Sequence, residues 1–183
     1  MGGKIIMAMT LLTTNIESGD ATSDFTSSID STYKLYIFKF LDIGPATNST
    51  EFTFNGSIDA GSNYNVTKTT TYFAAHHQED DGDAGLNYRG GDDISQGTGF
   101  QIITCPIGSG STESAAGTLW LFNPSSTTYV KHFYTRFSNH NAGDEMWDTY
   151  IAGYFNTTDN IDAVQFKMSS GNMDAVIKMY GVG

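Results

Sequence analysis

A chain of 183 residues and 19.9 kDa fits one domain. It buries enough surface to fold without disulfides or a structural metal. Its 9 Lys and Arg against 20 Asp and Glu give a net charge of −11. That charge repels phosphate backbones and anionic lipid, so neither nucleic acid nor a membrane is an expected partner. The 23 Thr, 17 Ser, 12 Asn, 20 Gly and 13% aromatics favour half-buried strands joined by tight turns, and exclude helical bundles, coiled coils and disordered chains.

The reading in chain order is an N-terminal arm or first strand over residues 1–32, then one β-sandwich domain over 33–183. The N-terminal stretch MGGKIIMAMTLL lacks the long apolar centre and cleavage site of a secretory signal, and no run approaches membrane-spanning length. Its Ile5, Ile6, Met7, Met9, Leu11 and Leu12 form an apolar patch in a loose region, a candidate contact with a neighbouring subunit. Tyr33–Ile43 is the strongest strand, apolar on both faces, and reads as a central strand covered on both sides. Glu51–Ile58 alternates and reads as one-sided, and Tyr64–Ala75 follows as a third strand.

Residues 76–99 read as one long loop with a local charge of −5 (six acids against Arg89). Phe100–Cys105, Gly117–Asn123, Thr127–Phe137, Trp147–Phe155, Ile161–Met168 and Met173–Gly181 complete the series. The turn Ser169–Asn172 suggests that the last two strands form a hairpin. Nine or ten strands without a sustained helical period predict an all-β fold, an antiparallel two-sheet β-sandwich of jelly-roll type. Cys105 lies in an apolar run and reads as a buried, inert thiol.

Chemistry is sparse. His76 and His77 are adjacent, so on a strand they point to opposite faces and cannot share an ion easily. Asp81-Gly82-Asp83 resembles a fragment of a calcium loop without its spacing. No cofactor is expected, and Ca2+ is the one ion worth testing. No G-x-S-x-G occurs, and the carboxylates crowd into glycine-rich loops where water would solvate them. No catalytic residue is assigned. A sugar-binding reading rests on two loops that mix aromatic and polar groups. One holds Tyr88, Asp92 and Asp93, and the other His140, Asn141, Asp144 and Trp147.

Several strings occur together in order: YKLYIFKF (Tyr33–Phe40), PAT (Pro45–Thr47), NPSSTTYVKHF (Asn123–Phe133), AGYFNTT (Ala152–Thr158), QFKMSSGN (Gln165–Asn172) and MYG (Met179–Gly181). Together they resemble a family of small β-rich proteins of marine tailed bacteriophages. The resemblance runs from about Met7 to the C-terminus. It implies a virion structural protein, either a capsid decoration or a tail-fibre component. Such a protein would assemble in the host cytoplasm and contact copies of itself and other virion proteins, with a host surface glycan as the alternative partner. It implies no catalytic residues. Residues 1–6 precede the Met7-Ala8-Met9 at which similar proteins begin.

Overall fold

The computed structural model describes residues 8–183, which form twelve strands and no helix. These are β1 (Met9–Asp20), β2 (Ser23–Phe25), β3 (Leu35–Pro45), β4 (Phe52–Ser57), β5 (Lys68–Gln78) and β6 (Ala84–Tyr88). Then come β7 (Gln101–Ile102), β8 (Ala115–Phe122), β9 (Lys131–His140), β10 (Glu145–Phe155), β11 (Ala163–Met168) and β12 (Met173–Val182). One sheet has eight strands in the order β1-β12-β3-β8-β9-β10-β5-β6, and the other has four in the order β2-β11-β4-β7. Neighbouring strands in both sheets pair antiparallel.

The order reveals a jelly roll with two insertions. Setting aside β5, β6, β9 and β10 leaves eight strands. In chain order, the first, eighth, third and sixth lie in one sheet, and the second, seventh, fourth and fifth in the other. That is the double Greek key of a jelly roll. The β5–β6 and β9–β10 pairs are inserted between core strands and extend only the larger sheet.

The inner faces close on an aromatic core. Tyr36, Phe38 and Phe40 of β3 alternate inward, as do Phe133 and Phe137 of β9, against Phe52 and Phe54 of β4. Phe166 of β11 is the hub, with ring centroids 4.9 Å from Phe40, 5.3 Å from Phe38 and 5.9 Å from Phe52. Cys105 is fully buried against the Tyr72 hydroxyl, and burial raises its thiol pKa, so the thiol stays protonated.

Several expectations need correction. Ser169–Asn172 is not a hairpin turn: β11 and β12 lie in different sheets, so the turn is a corner between layers. Strand lengths match this arrangement. Six-residue β11 pairs with six-residue β4, and ten-residue β12 with the long β1 and β3. β4 is not one-sided, because all six of its residues are buried. Its outward Asn55 donates to the carbonyls of Tyr64 and Thr98, which belong to the two connections before β5 and before β7. β3 is fully covered on one face and only partly on the other, where Ile37 is buried, Leu35 half-buried and Leu41 exposed. The long break contains β6, and Tyr64–Thr67 falls outside β5. The apolar run after Phe100 yields only two strand residues, because the Thr104 hydroxyl takes the Phe52 amide in place of a ladder bond.

Gly153 marks a close approach. A Cβ there would lie 2.7 Å from both Phe133 and Thr70 side chains and 2.8 Å from the Thr69 carbonyl. Gly153→Ala is expected to destabilise the fold by about 1–3 kcal/mol through overpacking. Urea unfolding would show this as a lower midpoint at unchanged slope.

Candidate functional site: the outer face of the eight-stranded sheet

Alternation along each strand divides this sheet into an inner face that meets the core and an outer face that meets water. The register aligns the outward residues into rows across the strands. One row runs Tyr88, Phe73, Tyr150, Arg136, Thr118, Lys39, Lys178, Thr14 from β6 to β1. The next runs Thr71, Ala152, Tyr134, Trp120, Ile37, Tyr180, Leu11. Aromatic side chains therefore gather over β8, β9, β10 and β5. Lysines gather over β3 and β12, and aliphatic groups at β1.

The aromatic end is ordered by stacking. Phe73 lies flat on Tyr150, centroids 4.9 Å apart and 3° from parallel. The Arg136 guanidinium sits 4.8 Å from the Tyr150 ring centroid. Asp148 holds Arg136 through two bonds of 3.1 and 2.8 Å and also accepts from the Tyr150 hydroxyl. Asp148 thereby keeps the Arg136 pKa above its ordinary value. Phe73, Tyr150, Arg136, Trp120 and Tyr134 line a groove of ≈ 290 Å³ whose surface is mostly apolar. Lys39 stands 5.9 Å from the Trp120 ring centroid and donates to Thr118 at 3.0 Å.

The two loops singled out for sugar recognition are largely engaged with the protein itself. Trp147 points to the inner face, stacked on His76 at 4.5 Å, and its indole N–H donates to Glu145. Arg89 lies 5.6 Å from the Trp147 ring centroid and pairs with Asp92 at 2.8 Å, which brings those two candidates together. Asn141 caps its own hairpin by accepting from the Gly143 and Glu145 amides and donating to Glu145. His140 is 4.0 Å from Asp144, and the Asp144 carbonyl accepts from the Glu79 amide, so the hairpin tips touch. Tyr88 donates to Asp93, and Tyr88 alone of these residues joins the outer aromatic row.

Of the assembly candidates, Met9 and Leu11 are exposed on β1, while Leu12 is half-buried against the core. Ile5, Ile6 and Met7 lie outside the described residues. His76 and His77 point to opposite faces and are bonded separately, to Asp83 at 3.2 Å and Asp81 at 2.9 Å. The two aspartates of the calcium-like fragment thus face different histidines. Among the described residues no three His, Cys, Asp or Glu side chains converge as metal ligands.

Sequence reasoning missed Phe73, Trp120, Tyr134, Tyr150, Lys39 and Lys178. The signal was present in Lys131–Phe137, where outward His132, Tyr134 and Arg136 alternate with inward Phe133, Thr135 and Phe137. Comparison with known proteins finds no matching family model, curated protein or solved structure.

Proposed function

We propose that this chain is a non-enzymatic structural protein of a bacteriophage particle exterior, as a capsid decoration or tail-fibre component. It works by subunit contacts with copies of itself and with other virion proteins. The carrying observation is the β1 edge of the larger sheet. β1 has twelve residues and, among the described residues, no strand on its outer side. Met9 and Leu11 are each 51% exposed and Ile16 is 73% exposed.

Exposed edges are normally guarded by shortness, Lys, Pro or charge. The other edges follow that rule: β2 and β7 have three and two residues, and five-residue β6 lies beside Asp80, Asp81 and Asp83. β1 spans roughly 40 Å and carries no Lys, Arg or Pro; its charges, Glu17 and Asp20, lie at its C-terminal end and leave Met9–Ile16 uncharged. Its irregularities fall between Leu11 and Thr13 and between Ser18 and Asp20, so the stretch between is a regular template. Such an edge accepts a neighbour's strand by main-chain bonding, with the outward aliphatic groups adding specificity. The string resemblance to phage structural proteins supports the same reading.

The test is the pair Leu11→Lys and Ile16→Lys, which puts gatekeeper charges on exposed positions. Sedimentation of the parent is expected to give a mass that rises above 19.9 kDa with concentration. The double variant is expected to stay at one chain with an unchanged circular dichroism spectrum.

A further inference from the structure

The aromatic end of the outer face carries a feature that assembly through β1 does not use. We propose that the groove between β8, β9, β10 and β5 binds an acidic polysaccharide. Phe73, Tyr134 and Trp120 would pack against the apolar faces of sugar rings. Lys39 and Lys178 would take carboxylate or sulfate groups.

The first support is preorganisation. Phe73 is 41% and Tyr134 53% exposed, yet the stack of Phe73, Tyr150, Arg136 and Asp148 fixes the wall on one side. Rigid aromatics present large contact area at little entropic cost. A sugar ring has an apolar C–H face and a polar rim, which matches an aromatic wall edged by guanidinium, carboxylate and hydroxyl groups.

The second support is charge placement. Lys39 and Lys178 are directly opposed across β3 and β12. Like charges at such positions destabilise a sheet. Among the described residues neither lysine forms an ion pair. Arg136 follows two strands along the same row but is already neutralised by Asp148. A chain with only 9 Lys and Arg and a charge of −11 thus places two unpaired lysines side by side next to its aromatic groove. An anionic occupant converts that repulsion into attraction. The Asp144 and Glu145 end of the sheet lies five or more residues from Tyr150 along β10, about 17 Å. Charges at that range are largely screened at physiological salt. Two lysines suit a polymer with spaced acidic groups better than the dense phosphates of nucleic acid.

This inference stands apart from the particle-exterior reading, since a chain that binds no polysaccharide can still assemble through β1. The experiment is affinity electrophoresis of the full chain through gels containing alginate (carboxylated), carrageenan (sulfated) or dextran (neutral). Titration with a labelled single-stranded DNA oligomer is the polyanion control. The expected result is retardation by alginate or carrageenan, which separates the two acid groups, with none by dextran. Phe73→Ala with Tyr134→Ala is expected to weaken binding tenfold or more. Lys39→Gln with Lys178→Gln is expected to weaken it about fivefold, while the melting temperature stays at or above the parent's because the repulsion is relieved. No retardation by either acidic polymer would overturn the proposal. So would equal retardation by dextran, DNA binding of equal strength, or parent-like binding by the lysine variant.

Discussion

Replacing Phe166 with alanine is expected to lower the unfolding free energy by about 3–5 kcal/mol, the range for truncating a fully buried phenylalanine. Phe166 is completely buried on β11. Its ring meets Phe25 at 6.0 Å, Phe38 at 5.3 Å and Phe40 at 4.9 Å, and it stacks on Phe52 and Phe54 at 5.9 and 6.2 Å. Phe38 and Phe40 belong to the larger sheet and Phe25, Phe52 and Phe54 to the smaller, so one ring joins both layers. Its neighbours are themselves aromatic and fixed by strand register, so they collapse poorly into the space left behind. Urea unfolding of Phe166→Ala, with Phe166→Leu as the milder control, measures the effect. A loss below about 1 kcal/mol, the scale of a mild core swap, would mean that the layers are not joined there.

The second large effect concerns Lys68, a fully buried lysine on β5. Its ammonium donates to the Gly99 carbonyl at 2.5 Å and lies 5.8 Å from the Phe155 ring centroid. Burial pulls its pKa down from 10.5 to about 7. The sign follows from proton counting. Below pH 7 lysine is protonated in both states, and the folded chain carries the full cost of a buried charge. Between pH 7 and 10.5 the unfolded chain holds one more proton, so stability rises with pH, by up to about 1.4 kcal/mol per pH unit. Buried Cys105, Tyr36 and Tyr72, whose pKa values burial raises above the ordinary 9.0 and 10.0, act in the opposite direction once the free groups ionise, cysteine first. The informative window is therefore pH 7 to 8. Lys131, also lowered by burial, adds a rise of the same sign. Lys68→Met is expected to reduce the rise across that window and to unfold at higher urea than the parent at pH 7, by a few kcal/mol. A variant whose rise from pH 7 to 8 equals the parent's would contradict the buried, depressed lysine.

Lys68 has a counterpart. Lys131 of β9 is also fully buried, pairs in register with Phe155 and donates to the Thr157 carbonyl at 2.9 Å. Phe155 thus lies in one row between two lysines, each tying a connecting segment to the inner face of the sheet. These ties brace the ends of β5, β9 and β10 from the inner side.

How legible this was depended on which interaction decided each element. Local alternation decides strands such as Lys131–His140, so their existence and two-sidedness can be read directly. Long-range pairing decides which sheet a strand joins. Ser169–Asn172 has hairpin chemistry, yet β11 and β12 find partners of their own length in different layers. Lys68 falls by alternation on the buried face of Tyr72 and Ala74, where a lysine is unexpected. Only the distant Gly99 carbonyl and Phe155 ring make its burial tolerable. The loops around Trp147 looked available because their composition mixed aromatic and polar groups. Their partners His76, Arg89 and Glu145 are contributed by register and hairpin geometry, which composition does not encode. The outer rows become visible only when the eight strands of the larger sheet are placed side by side.

The most direct test of the proposed role is a reconstruction of the intact particle of the phage proposed as the source of this chain. The expected result is density for the jelly roll on the particle exterior, with the Met9–Asp20 edge closed by a strand of a neighbouring subunit. A particle without this chain, or one in which that edge faces open solvent, would contradict assembly through β1.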